Sequence, residues 1–285
     1  MSDDIKHELV IRHVPRPGPP QGRAASANIW RLLETPAATG ARNMATDVAL
    51  AESVRDGGPP VLRFYRWWPP CVSLGRNQPA RGHYDLVEAE RRGIDFVRRP
   101  TGGRAVYHHH EVTYSVLVGD RQLGGPRRTY ELIHKAFLTG LRLLGAPTDI
   151  VGDPGHAVRP STVPCFQGLD GGAIVAGTRK LLGSAQFREG GVLLQHGSLL
   201  LTGDQSPAFE LLKVRGKNDA NERPAALDEL LPHLPTWAEL IDGLANGFER
   251  LLSIQLQGSV LDSHEQARVI HHSRRFSDPE WTWRL

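Results

Sequence analysis

The sequence predicts an α+β fold, with a mixed and largely antiparallel sheet flanked by helices. Two observations carry that prediction, and a third bounds it. Short apolar runs of strand length interleave with longer helical ones along the chain, the order expected when both element types share one core. Each type also shows its own period. Val112, Tyr114, Val116 and Val118 alternate with period two, as a strand does. Tyr130, Ile133, Phe137, Leu141 and Leu144 step by 3, 4, 4 and 3, and so do Trp237, Leu240, Leu244, Phe248 and Leu251, which is one apolar helical face each. No repeat of ~20–50 residues is visible, so solenoids and propellers are excluded.

The elements follow in order. Residues 1–25 carry Pro15, Pro17, Pro19 and Pro20 with Gly18 and Gly22, which cannot sustain regular hydrogen bonding, so a flexible tail is expected before one domain over 26–285. Ile29–Leu33 reads as a strand and Asn43–Val54 as a helix with Asn43 as N-cap. Val61–Trp67 and Val72–Leu74 are strands parted by Pro69 and Pro70, and Leu86–Arg92 is a short helix. Asp95–Val97, Ala105–Tyr107 and Val112–Val118 are strands around a Gly-Gly turn. The helix through Tyr130–Leu144 stops at Gly145 and Pro147. Strands follow near Ala173–Ala176, Lys180–Phe187 and Val192–Leu201, the last two joined by Glu189-Gly190-Gly191 as a hairpin, and then the helix through Trp237–Leu251.

Composition narrows the function classes. The chain has 285 residues, 40% hydrophobic and 23% charged, which is globular and not disordered. No apolar run approaches the ~18 residues of a membrane span. Lysine and arginine exceed acidic residues by 34 to 31, a net charge of +3, too slight to argue for nucleic acid. Two cysteines exclude a disulfide scaffold and a four-thiolate zinc site. Met1–Lys6 is polar and acidic, without an apolar signal core, so a cytoplasmic protein with free thiols is expected.

Four segments carry chemistry. In Arg98-Arg99-Pro100-Thr101-Gly102-Gly103-Arg104, two glycines without Cβ let a ligand lie against backbone amides. A hairpin turn fits the segment almost as well, and neither a P-loop nor a dinucleotide fingerprint does. His108, His109 and His110 invite a metal, but no second cluster has ligand spacing, so a polar strand end is favoured and no metal is expected. Cys71 reads as a small buried hydrophobe. Cys165 sits between predicted elements, where substrate can reach a thiol. Lys180 lies in an apolar, glycine-flanked strand, and lysine is rarely buried without a partner or a task. Gly183, Ser184 and Ala185 beside it are small, with Gln186 next. Finally Gln195-His196-Gly197-Ser198 places a glycine in mid-strand, a mark of close approach by a ligand or another backbone.

In this order the segments resemble the biotin/lipoate protein ligase catalytic domain family, from about Trp30 to the closing Trp281-Thr282-Trp283-Arg284. Within it they look most like the cysteine-dependent octanoyltransferases of lipoate biosynthesis. The resemblance implies a nucleophile, Cys165, and a neighbouring Lys180 that favours the thiolate and takes a proton from the attacking amine. It implies substrate-binding roles for Arg99, Thr101, Gly102, Gly103, Arg104, His108, Gly183, Ser184, Gln186, His196 and Gly197, and no cofactor. It also implies a donor, octanoyl-acyl carrier protein, and an acceptor lysine on a lipoyl domain, either the glycine cleavage H protein or a dehydrogenase E2 subunit. Val106, Tyr114 and Leu182 are candidates for an acyl slot, with ordinary core packing the alternative for each. His109, His110 and the proline-rich start depart from the family pattern.

Other readings stay open. An ATP-dependent lipoate ligase would need the lysine but no cysteine, and amidotransfer between lipoyl domains would use the same Cys–Lys pair. A non-catalytic binding module would rest on a basic face of Arg91, Arg92, Arg98, Arg99, Arg104, Arg127 and Arg128.

Overall fold

The computed structural model describes residues 28–152, 172–214 and 223–285; the proline-rich start and Cys165 lie outside them. The first strand, β1 (Asn28–Glu34), leads into helix α1 (Gly40–Arg55), then β2 (Val61–Tyr65), β3 (Cys71–Leu74), α2 (Leu86–Arg91), β4 (Asp95–Arg98), β5 (Val106–His108) and β6 (Glu111–Gly119). Helix α3 (Pro126–Leu143) precedes β7 (Asp149–Val151), β8 (Ala173–Ala176), β9 (Arg179–Glu189) and β10 (Val192–Leu200). The short α4 (Pro207–Glu210) and α5 (Leu227–Leu230) come next, then α6 (Trp237–Leu252), β11 (Ile254–Ser259), α7 (Ser263–Phe276) and α8 (Pro279–Thr282).

Among the described residues the strands form an eight-stranded sheet, β11-β1-β2-β6-β10-β9-β8-β7, and a three-stranded sheet, β4-β3-β5. In the large sheet pairing is antiparallel across β2, β6, β10, β9, β8 and β7 and parallel where β1 meets β2 and β11; in the small sheet β3 is parallel to β4 and antiparallel to β5. The α+β reading with a mixed, largely antiparallel sheet is therefore correct.

Helices cover both faces of the large sheet. On one face α3 and α6 pack together, with Phe137 edge-on to Phe248 at 5.2 Å between ring centroids. Glycines make the approach possible, since a Cβ on Gly247 would lie 2.3 Å from the Ala136 carbonyl oxygen. Trp30, Phe64, Tyr114, Val116 and Ile133 fill that core. On the other face α1 seats Leu50 and Val54 against Leu33, Val61 and Leu117. Helix α7 lies outside α1, where Val269 and Phe276 meet Met44 and Ala45.

Helix α1 begins earlier than expected. Its cap is Thr39, whose hydroxyl accepts from the Arg42 amide. Asn43, expected as the cap, is fully buried inside the first turn. Its amide donates to the Ala38 and Arg66 carbonyls, and its Oδ1 accepts from Arg63. The short polar side chain that suits a cap also suits a buried knot, and sequence does not separate the two.

Candidate active site

The Gly-Gly turn joins β4 to β5 and lies against the middle of the large sheet. Arg99 shapes it from inside. Its side chain is buried, and its Nη2 donates to the Gly102 carbonyl at 2.7 Å and the Arg104 carbonyl at 2.8 Å. Gly103 has φ of +91°, a region that disfavours side chains. Its oxygen would lie 2.0 Å from a Cβ on Gly75, so two backbones touch there. A Cβ on Gly102 would meet nothing within 4 Å. The turn is thus braced by Arg99 and Gly75 on one side and open at Gly102 on the other.

Arg99 also feeds two hydrogen-bond relays that end on buried carboxylates. In the first, its Nε donates to Thr101 Oγ1 at 3.1 Å, and Thr101 lies 2.6 Å from His196 Nε2. His196 Nδ1 faces Asp47 at 3.3 Å. A carboxylate can only accept, so Nδ1 carries the proton and Thr101 donates to Nε2. In the second, Arg99 Nη1 donates to Ser73 Oγ at 3.0 Å, Ser73 lies 2.7 Å from His108 Nε2, and His108 Nδ1 lies 2.6 Å from Glu111 Oε1. The same reasoning gives the same tautomer. His108 stacks on Trp67 at 4.0 Å, and Ser198 donates to Glu111 at 2.9 Å. Ser73–His108–Glu111 has the connectivity of a hydrolytic triad, but Ser73 is 1% exposed and already accepts from Arg99, so it orients rather than attacks. His109 and His110 form the turn before β6, so His110 does not share a strand face with His108.

The Asp47 end is anchored by charge. Arg63 donates to Asp47 at 2.6 Å with both side chains buried, and Ser115 and Tyr65 donate to the same carboxylate. Burial alone would raise the Asp47 carboxyl, yet Arg63 and His196 hold it below the usual carboxylate range. Burial keeps His196 below its ordinary value although Asp47 pulls the other way, so the ring is neutral.

A second chain occupies the opposite face of the sheet, because neighbours along a strand point to opposite sides. Ser184 stands opposite Gly197, which stands opposite Tyr114. A Cβ on Gly197 would lie 2.4 Å from the Gly183 carbonyl oxygen and 2.6 Å from Ser184 Oγ, so the mid-strand glycine answers to neighbouring backbone and side chain. Gln186 donates to Gln195 at 2.7 Å, Gln195 to the Tyr114 hydroxyl at 2.9 Å, and Tyr114 lies 2.7 Å from Ser184. Ser184 is 2.8 Å from Nε2 of His134 on α3, whose Nδ1 donates to the Gly172 carbonyl. That fixes Nε2 as an acceptor and Ser184 as its donor.

Burial, with a smaller push from Lys180, brings His134 down to about 4. Below the unfolded value of ~6.5 the unfolded chain binds a proton that the folded one refuses, so stability falls as pH falls. Between pH 7 and pH 5 this group costs about 2 kcal/mol. Denaturant unfolding at both pH values should show a loss smaller by about that amount in His134→Asn. Equal losses in the two proteins would mean that His134 is not held neutral.

Lys180 is 4% exposed on β9. The pairing of Ile174 with Leu182 and of Val175 with Lys180 leaves Leu181 as an extra residue, a bulge of the kind that re-aims a side chain. The predicted binding residues therefore divide. Arg99, Thr101, His108 and His196 gather with the turn, Ser184 and Gln186 lie on the α3 face, and β10 joins the two groups through His196 on one face and Gln195 on the other. Cys71 is fully buried and its thiol is pushed well above the ordinary value by burial, as a structural cysteine should be. Tyr114 and Leu182 pack in the main core, whereas Val106 belongs to a separate small cluster, so these three do not line one slot.

The basic face on which a binding module would rest is not one free surface among the described residues. Arg91 and Arg92 pair with Glu88, Arg127 and Arg128 pair with Glu131, and Arg98 and Arg99 are buried. Sequence reasoning also missed Asp47, Ser73, Glu111 and His134. An aspartate inside an apolar helix is the one signal that was there to read.

Residues 39–249 match the lipoyl protein ligase A/B catalytic domain. The octanoyltransferase LipM of Moorella thermoacetica is 38% identical, covering 90% of this chain and 98% of that protein. LipM of Symbiobacterium thermophilum is 39% identical, covering 83% and 91%. Among solved structures, lipoate-protein ligase A bound with ATP superposes with a TM-score of 0.73 at 26% identity over 89% of this chain and 98% of that one. The bipartite lipoate protein ligase of Thermoplasma acidophilum gives 0.71 at 27% over 89% and 95%. The fold, the turn beside β4 and the lysine strand thus sit in a chain that belongs to the lipoyl protein ligase A/B catalytic domain family.

Proposed function

We propose that this chain transfers an octanoyl group from octanoyl-acyl carrier protein to a lysine of a lipoyl-type acceptor, the glycine cleavage H protein or a dehydrogenase E2 subunit, through a thioester on Cys165. The likeness to LipM octanoyltransferases at 38–39% identity over most of the chain carries the reading. The ligases are more distant, at 26–27%. The Cys165 thiolate attacks the octanoyl carbonyl, the bond to the carrier sulfur breaks, and the Lys180 ammonium gives its proton to the departing carrier thiolate, which leaves Lys180 a neutral amine. The acceptor amine then attacks the octanoyl-cysteine, Lys180 takes its proton, and the Cys165 thiolate departs. Thioester exchange is nearly balanced and amide formation is downhill, so neither ATP nor metal is required. The reading sets the reaction in the cytoplasm, where Cys165 stays reduced.

Incubation with octanoyl-acyl carrier protein, without ATP, should give an octanoyl adduct labile to hydroxylamine in the intact mass. Cys165→Ser should give none and Cys71→Ser should give it normally. An active Cys165→Ser with a dead Cys71→Ser would overturn the choice of nucleophile. Dependence on free octanoate and ATP would favour a ligase.

A further inference from the structure

Three arginines converge beside the Gly-Gly turn. Arg275 at the end of α7 and Arg284 after α8 each place their guanidinium carbon 3.6 Å from the centroid of the Trp281 indole. Arg284 also donates to the Trp281 carbonyl at 3.1 Å and the Arg76 carbonyl at 2.5 Å. Arg76 follows Gly75, donates its amide to the Thr101 carbonyl at 2.8 Å, and lays its guanidinium over Phe187 at 4.6 Å. Trp281 is itself tied down, its indole N–H donating to the Arg98 carbonyl at 2.9 Å.

This grouping opposes ordinary surface electrostatics. Arg91, Arg92, Arg127, Arg179 and Arg268 each pair with a carboxylate. Among the described residues, Arg76, Arg275 and Arg284 have none in ion-pair range, and Glu189 acts on Arg275 only from farther off. Burial and mutual repulsion both depress Arg275 and Arg284. Three cations held together by indole and carbonyl contacts, with no anion of their own, form a preset positive surface.

We propose that Arg76, Arg275 and Arg284 form the docking surface for an acidic face of the protein that delivers the acyl group, a reading that rests on the octanoyl transfer proposed above. Position favours a protein face over the acyl group itself. Phe187 lies seven residues along β9 from Lys180, roughly 23 Å of strand, well past the reach of an octanoyl chain. Position also favours the donor. A carried acyl group travels on a flexible arm, so its carrier is held at a distance from the reacting carbonyl. An acceptor lysine reaches through a four-carbon stem, which brings its domain against the Lys180 end.

Arg76→Glu with Arg275→Glu should raise KM for octanoyl-acyl carrier protein at least tenfold with kcat held, and added salt should shrink the difference between variant and wild type. KM for octanoyl-pantetheine, which has no charge, should move far less. Arg275→Lys keeps the charge and should retain the wild-type KM, which separates charge from folding. An unchanged carrier KM overturns the proposal. A rise for the lipoyl-domain acceptor alone would make the surface an acceptor site and overturn it too. A rise for octanoyl-coenzyme A equal to that for the carrier would make it a phosphate site instead. Titration of unacylated carrier against Cys165→Ser, with and without the charge reversals, reads docking without turnover. If no octanoyl thioester is used at all, the activity reading falls while this titration still decides the surface.

Discussion

Lys180→Ala is expected to slow octanoyl transfer by 10²–10⁴-fold, the range over which a positioned general base contributes. Lys180 is 4% exposed on a strand that bulges beside it, and an ammonium in such a setting acts strongly on a nearby thiol. Within ~4–6 Å it favours the thiolate and lowers a thiol pKa by one or more units. Its removal should therefore shift the alkylation of Cys165 by a small reagent to higher pH. The measurement is clean, because Cys71 is buried with its thiol pushed up and stays silent. Aminolysis of a preformed acyl-enzyme should slow as well, since the incoming amine loses its proton acceptor. Lys180→Arg keeps the charge but cannot deprotonate, so it should recover thiol reactivity without recovering transfer. An unchanged alkylation profile in a folded Lys180→Ala protein would show that Lys180 is not the partner of Cys165.

Asp47→Ala is expected to cost about 3–5 kcal/mol, the loss when one partner of a buried ion pair is removed. Arg63 would keep its charge at 1% exposure with its 2.6 Å partner gone, and Ser115, Tyr65 and His196 would lose their shared acceptor. Because the folded Asp47 carboxyl sits below its unfolded value, its contribution is complete above pH ~4 and fades as pH falls through the folded value. Denaturant midpoints for the single variant and for Asp47→Leu/Arg63→Met separate two effects. The double variant should regain most of the stability, since the isolated charge is gone. It should not regain full activity, because His196 no longer has the carboxylate that fixes its tautomer and, through Thr101, the turn. A single-variant loss under 1 kcal/mol would mean that the pair is solvated.

The strands around the turn, the two long helices and the β9–β10 hairpin were legible because each buries a regular stripe, and regular stripes have periods. The chain beyond α6 was not. Helix α7 buries Val269 and Phe276 and is otherwise largely polar, so no apolar face announces it. Its capping box, Asp262 with Glu265, was a readable signal that went unread, and so was the alternation of Ile254 and Leu256 in β11. Of the site, Arg99, Thr101, His108 and His196 were picked out as substrate contacts, and the structure joins them in one network that Glu111 completes from three residues beyond His108 and Asp47 from a distant position. Sequence separation hides such partners. Asp47 and His196 lie 149 residues apart, and only the folded register of α1 against β10 brings them together.

The pairing of β1 with β11 has a further meaning for how the chain is made. Arg31 bonds to Ser259 across 228 positions, so β1 leaves the ribosome long before one of its two neighbours exists. Until then its outer edge is open, an invitation to wrong strand pairing. Contacts of such long range slow the search for the native topology, and synthesis at ~5–20 residues per second adds a wait of tens of seconds. The edge closes only when residues 254–259 arrive, so β1 stays open to wrong pairing through most of synthesis.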